Sequence, residues 1–405
     1  MTEGVGGSTM EVELERLTSM REGVQPISND ERMQRISNAQ SLMRSQGMQA
    51  LYLDASSSLY YFTGLRLRSS ERLHGAIIPA EGDVVYICPA FEEEKTRSML
   101  KLPGEVRTWE EHEDPTSLVV DTVRTLGYPH GTIAVDEATP FFTFDGLRRA
   151  GNAFEFANGN LITARCRMIK SSAEIALMQR AKDITLEVHR ATARVLTEGI
   201  TTTEVADFIA RAHTRLGVDG PLSFCIVLFG EPTAYPHGVP YPQTLEEGDM
   251  VLIDTGATVE GYHSDITRSY VFGEPNARQR EIWNLEKRAQ TAAFEAARPG
   301  ATCESVDAAA RAVIEAAGFG PGYAVPGLPH RTGHGIGLDV HEWTYLVKGN
   351  KTRLEPGMCF SNEPMVCIYG EFGVRLEDHF HVTEEGPRWF TGPCHSVDDP
   401  FGVSA

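Results

Sequence analysis

No two cysteines in this chain are spaced as C-x-x-C, and the seven that occur (Cys88, Cys166, Cys225, Cys303, Cys359, Cys367 and Cys394) are odd in number. That excludes a zinc ribbon and a disulfide framework, and fits buried thiols in a reducing cytoplasm. Basic clusters interleaved with aromatics are also missing. The chain carries 37 Lys and Arg against 56 Asp and Glu, a net charge of −19, which argues against a nucleic-acid partner. No apolar run approaches the length of a membrane span, and the opening MTEGVGGST has no apolar segment of a secretory signal. The expectation is a cytoplasmic protein with no membrane partner. Neither G-x-S-x-G nor G-x-x-x-x-G-K-[ST] occurs, and no strand leads into G-x-G-x-x-G. A serine-hydrolase elbow, a phosphate loop and a dinucleotide fingerprint are thereby removed.

What is present suits two α/β domains over 405 residues with 41% hydrophobic content. Residues 1–28 read as a flexible tail carrying at most a helix in MEVELERLTSMREG. Residues 29–160 read as a mixed-sheet α/β domain. It opens on an amphipathic helix ending at Gly47, a buried strand MQALYLD, and a hairpin turning at Glu81-Gly82-Asp83. Ser171 and Glu174 have capping-box spacing at the start of the next domain, residues 161–405, as do Thr201 and Glu204 one helix later. There, two helices followed by a run of strands and turns occur twice over, the pattern of an internal duplication.

Five potential metal ligands lie in that second domain, in the order Asp254, Asp265, His334, Glu363 and Glu377. Taken singly, each has an ordinary explanation as a turn, cap or core residue. As a set, four carboxylates and one imidazole in apolar strand contexts are too much charge to bury without a cation. Asp254 ends the run MVLI, and Asp265 follows after a turn containing Glu260-Gly261, a hairpin able to put both carboxylates on one face. The oxygen-rich set with one nitrogen favours Mn²⁺, Co²⁺, Fe²⁺ or Zn²⁺ over a thiolate-selective site.

The segments IDTGATVEGYHSDITRSYVFG, PHRTGHGIGLDVHE, NEPMV and GVRLEDH resemble the pita-bread metallopeptidases, in the prolidase and aminopeptidase P branch. The resemblance implies a creatinase-like N-terminal α/β domain and a pseudo-symmetric pita-bread catalytic domain. It also implies two divalent ions per chain, Mn²⁺ foremost and Co²⁺, Zn²⁺ or Fe²⁺ as alternatives. On that reading Asp254 binds one ion, Asp265 and Glu377 bridge both, and His334 and Glu363 bind the second. A water held between the ions is the nucleophile, and Glu363 moves its proton. His237, His330 and His341 match the histidines that the family uses at the oxyanion and the proline end; His330 equally suits orienting the His334 loop. Arg375 suits either holding a metal-bridging carboxylate or binding the substrate C-terminus. His263, His379 and His381 are left as supporting or surface residues.

The implied function is hydrolysis of the Xaa-Pro bond of dipeptides by a cytoplasmic homodimer. Aminopeptidase P activity on longer peptides, an ectoine hydrolase-like amide hydrolase, and a non-catalytic binding relative are the alternatives. A lyase of the same fold carries an extra Asp where this chain has Gly256, which counts against that chemistry.

Overall fold

The computed structural model describes residues 2–403 and divides the chain into two compact units, residues 27–167 and a second formed by residues 1–26 with 168–405. The first unit is built on a six-stranded mixed sheet. Its strands are β1 (Met48–Leu53), β2 (Gly75–Pro79), β3 (Val85–Pro89), β4 (Glu105–Trp109), β5 (Gly131–Val135) and β6 (Phe154–Asn158), in the order β4-β3-β2-β1-β5-β6. The expected hairpin joins β2 to β3, and Gly82 takes φ 103° in its turn, a left-handed conformation that favours glycine. Ala50, Tyr52, Ile77, Ile87 and Ile133 pack against Val119, Val120, Val123 and Leu147 of two covering helices. The alternate residues Leu51 and Leu53 are buried as well, so the central strand is apolar on both faces. The unit closes on the helix Asn160–Met168, a few residues beyond the expected boundary near 160.

The second unit repeats one element order. The helices Ser172–Val195 and Thr202–Leu216 precede β7 (Phe224–Phe229), β8 (Met250–Gly256), β9 (Thr258–Val259), β10 (Tyr262–His263) and β11 (Ile266–Val271). The helices Ala277–Ala296 and Cys303–Ala316 precede β12 (Gly333–Gly335), β13 (Glu342–Leu346), β14 (Cys359–Asn362), β15 (Met365–Ile368), β16 (Phe372–Arg375), β17 (Asp378–Thr383) and β18 (Gly386–Trp389). Both predicted capping boxes form, at Ser171/Glu174 and Thr201/Glu204. The first half makes the sheet β11-β8-β7 and the second β13-β12-β14-β17-β18, with β9–β10 and β15–β16 as separate hairpins. A bridge between Thr267 and Glu377 ties the two halves together. Trp283, Phe360 and Phe380, each about 1% exposed or less, sit in the core between helices and strands.

The loose tail expected at the N-terminus is corrected, Met1 alone of that segment lying outside the described residues. The amides of Thr2, Gly6 and Ser8 donate to the carbonyls of Gly273, Ala193 and Arg194. The helix Met10–Arg16 buries Glu13, whose carboxylate accepts from Arg16 at 2.8 Å and Arg194 at 2.9 Å. Backbone pairing and a buried ion pair with a distant helix order a stretch whose Gly- and Ser-rich composition carries no local signal. All seven cysteines are free thiols. Among the described residues no helix is long and apolar enough to cross a membrane.

Candidate metal centre

Strand register assembles the site. In the antiparallel pair β8–β11, Asp254 faces Thr267, and the same register carried one residue further sets Gly256 opposite Asp265. Positions two apart on a strand share a face, so Asp254 and Asp265 project to the same side. Gly256 is required there: a Cβ would come within 2.1 Å of the Ser264 carbonyl oxygen. The turn between them falls at Glu260 (φ 51°) and Gly261 (φ 83°), the two residues expected to make it. In the other half, β14 and β17 pair Ser361 with His379 and Asn362 with Asp378, which carries Glu363 opposite Glu377. Gly335 of β12 faces Phe360, so His334 falls beside Ser361, whose hydroxyl accepts its amide at 2.9 Å. The Thr267–Glu377 bridge then aligns Asp254, Thr267, Glu377 and Glu363 in one row across four strands.

All five expected ligands come together. Asp254, Asp265, His334 and Glu377 are 7%, 4%, 1% and 1% exposed. His334 Nε2 lies 3.1 Å from Glu363 Oε1 and 3.6 Å from Asp265 Oδ2. His334 Nδ1 lies 3.0 Å from the Gly335 carbonyl. Donation there places the proton on Nδ1 and leaves the Nε2 lone pair aimed into the site, the form a metal ligand takes. Thr267 donates to Glu377 Oε2 at 2.7 Å and Ser361 to Glu363 Oε1 at 3.0 Å. Asp254 Oδ1 and Glu377 Oε1 are buried without a hydrogen-bond partner among the described residues. Buried carboxylate oxygens left unpaired beside an imidazole lone pair are what divalent cations would satisfy, so the donor set fits the ions that the sequence implies.

The electrostatics agree. Burial first, and then the neighbouring charges of Glu377, Asp254 and Glu363, push the Asp265 carboxyl well above its ordinary value. Glu377 rises for the same reasons, burial first and then Glu363 and Asp254. Burial also raises Asp254, against the pull of Arg375. Glu363 is the exception: burial opposes its charge, but without an ion a proton on His334 Nε2, which an ion there would displace, bonds to the carboxyl and holds it below the usual range.

Arg375 is 3% exposed and fully committed: Nη2 donates to Asp254 Oδ2 at 2.5 Å, Nε to Thr267 at 3.2 Å and Nη1 to the Pro236 carbonyl at 2.9 Å. Of its two readings, the carboxylate-holding one matches this geometry, and the expected role in binding substrate does not. His341 meets the His334 ring edge-on, with centroids 4.1 Å apart, and burial together with that neighbour lowers its pKa to about 4. His330 Nδ1 meets the Arg331 carbonyl at 2.7 Å, and its Nε2 is buried without a partner among the described residues. His237 is exposed, in the loop whose Pro236 carbonyl Arg375 grips.

Sequence reasoning passed over three groups. Thr267 follows Asp265 by two on a strand and was findable by that period. Lys182, from the helix Ser172–Val195, is fully buried with Nζ 3.1 Å from the His263 carbonyl, and burial lowers its pKa to about 7. His379, set aside as supporting or surface, is wholly buried beside Glu377.

A carboxylate-rich centre, placed where the two halves of a duplicated domain meet and preceded by an α/β domain, defines a metallopeptidase of the pita-bread class. The chain belongs to metallopeptidase family M24: the family model matches residues 176–384, and the creatinase/prolidase N-terminal domain matches residues 35–169. An uncharacterized peptidase of Staphylococcus aureus is 33% identical over 356 residues, 87% of this chain and 97% of the relative. Dipeptidase PepE of Mycobacterium ulcerans superposes with TM-score 0.85 at 34% identity, covering 92% of this chain and 99% of that one. A prolidase of Thermococcus sibiricus does so with TM-score 0.81 at 31% identity, covering 89% and 96%.

Metal removal tests the centre. A carboxyl whose folded pKa is raised contributes stability that is present below its unfolded value and lost as pH rises through the folded value. Asp254, Asp265 and Glu377 all have this sign, whereas ion binding requires them deprotonated. The gap in thermal midpoint between ion-loaded and chelated protein is therefore expected to widen from about pH 5 to pH 8. A gap that is absent, or constant with pH, contradicts the assignment.

Proposed function

We propose that this protein hydrolyses the Xaa-Pro bond of dipeptides at a dinuclear centre held by Asp254, Asp265, His334, Glu363 and Glu377. The row of facing carboxylates beside the His334 lone pair is the observation that carries this reading. The names of similar structures, a dipeptidase and a prolidase, support it. When bound, the two ions supply Lewis acidity toward the scissile carbonyl and acidify a water.

The side chains do the rest. Glu363 is held in its charged form, partly exposed at the edge of the row, and accepts the proton of the attacking water. It then delivers that proton to the leaving imide nitrogen. Neutral His341 donates an N–H to the carbonyl oxygen as negative charge builds there, and His237 reaches the same substrate from its exposed loop. Thr267, Ser361 and Arg375 hold carboxylates at their working angles. An imide nitrogen carries no hydrogen, so recognition falls on the proline ring and the terminal carboxylate.

With Arg375 committed, the carboxylate needs another cation, and Arg331 fits that need. It follows His330 and has no carboxylate partner among the described residues. Its guanidinium lies 4.2 Å from the centre of the Tyr345 ring, which meets Trp343 edge-on at 5.7 Å. A stacked, unpaired guanidinium beside a partly exposed aromatic wall suits a ring bearing a carboxylate.

Chelated protein reloaded with Mn²⁺ or Co²⁺ is expected to cleave Ala-Pro in preference to Ala-Pro-Ala and to leave ectoine intact. Preference for the tripeptide moves the reading to aminopeptidase P, turnover of ectoine alone to a non-peptide amide hydrolase, and cleavage of neither peptide refutes it. Arg331→Ala should raise KM for Ala-Pro by about 10- to 100-fold, the worth of a hydrogen bond to a charged group, with kcat within about threefold. Ala-Pro amide should be unaffected; an unchanged KM for the free acid removes Arg331 from this role.

A further inference from the structure

His379 has no part in the mechanism above, yet among the described residues neither its Nδ1 nor its Nε2 has a hydrogen-bond partner, and its ring is wholly buried. An imidazole offers a donor and a lone pair, and sealing such groups away unmatched is costly. Register explains how it comes to be there. The ladder that sets Glu363 against Glu377 also sets Ser361 against His379. The Thr267–Glu377 bridge, carried two residues on, brings Asp265 opposite His379. His379 therefore shares the face of Glu377 and stands between the strands that carry Asp265 and His334.

Distances sharpen the point. His379 Nε2 lies 3.8 Å from Glu377 Oε1, an oxygen that itself lacks a partner. One donor atom each from Asp265, Glu377 and His379 lie within 4.8 Å of one another. A separation of 3.8 Å is too long for a hydrogen bond. It suits two donors on one ion, since bonds of about 2.1 Å at an angle of about 110–130° put the donor atoms roughly 3.4–3.8 Å apart. His334 Nε2 and Asp265 Oδ2, both expected ligands, stand at 3.6 Å, the same kind of spacing.

Resting on the metallohydrolase reading, we propose that His379 is a further protein ligand of the centre, its Nε2 lone pair directed at one of the two ions that Asp265 and Glu377 would share. The site then takes both of its nitrogens from the second half, His334 on β12 and His379 on β17. A second imidazole in an oxygen-rich set moves the preference from Mn²⁺ toward Co²⁺, Zn²⁺ or Fe²⁺.

The test needs no variant. Wild-type protein is loaded with Co²⁺, its metal content is measured, and imidazole multiple scattering is counted by X-ray absorption at the cobalt edge. With two ions bound, His334 and His379 together give about one imidazole per ion, whereas His334 alone gives about half. A count near one is expected and a count near half overturns the proposal. His379→Ala should lower the count to about half and weaken or shift the visible Co²⁺ absorption, with His334→Ala as the parallel control; a spectrum and count unchanged in the His379 variant also overturn it. If wild type retains no Co²⁺, the metallohydrolase reading falls as well, and that failure is told apart by the metal content alone.

Discussion

Four carboxylates facing one another in a nearly dry row is the constraint on which the catalytic unit depends. Burial and mutual repulsion push Asp254, Asp265 and Glu377 toward the protonated state, and Arg375 supplies one compensating charge against them. No packing of apolar neighbours relieves that. The Nε2 lone pair of His334, fixed by a bond to its own chain, faces the same space. Cations are the remaining way to balance the row, and the bonds from Thr267, Ser361 and Arg375 around it keep the carboxylates aimed.

The duplicated architecture serves this purpose. Each half contributes one antiparallel pair, β8–β11 and β14–β17, and each pair presents two acidic side chains on one face. Neither half holds a complete site. The bridge at Thr267–Glu377 brings the pairs side by side, and Arg268 secures it, donating to the Glu377 carbonyl at 2.9 Å and to Asp378 at 2.7 Å. Glycine appears where the chains must nearly touch: at Gly333 a Cβ would meet the Ser361 carbonyl oxygen at 2.1 Å. The Gly-rich character of the His334 segment is thus a packing requirement of the site.

The parts of the site legible in the sequence were those set by local rules. Asp254 and Asp265 flank a turn whose residues announce it, so two-residue alternation places both on one face. His334, Glu363 and Glu377 stand in apolar strand contexts where a charge demands an explanation. What stayed hidden depends on pairing between distant segments. The burial of His379 follows from β14 meeting β17, and the commitment of Arg375 follows from a partner 121 positions away. The N-terminal stretch looked loose by composition, and only its backbone bonds to Ala193, Arg194 and Gly273 show otherwise. Of the α/β domain, the first helix, the central strand and the β2–β3 hairpin were readable, whereas its strand order was not.

Whether the facing carboxylates hold two ions is read by anomalous diffraction from crystals of Mn²⁺-loaded protein. The account predicts two anomalous peaks per chain, both within bonding reach of Asp265 and Glu377, with Asp254 beside one and His334 and Glu363 beside the other. An unoccupied row in metal-loaded crystals, or ions bound elsewhere while these five side chains stay unligated, would contradict it.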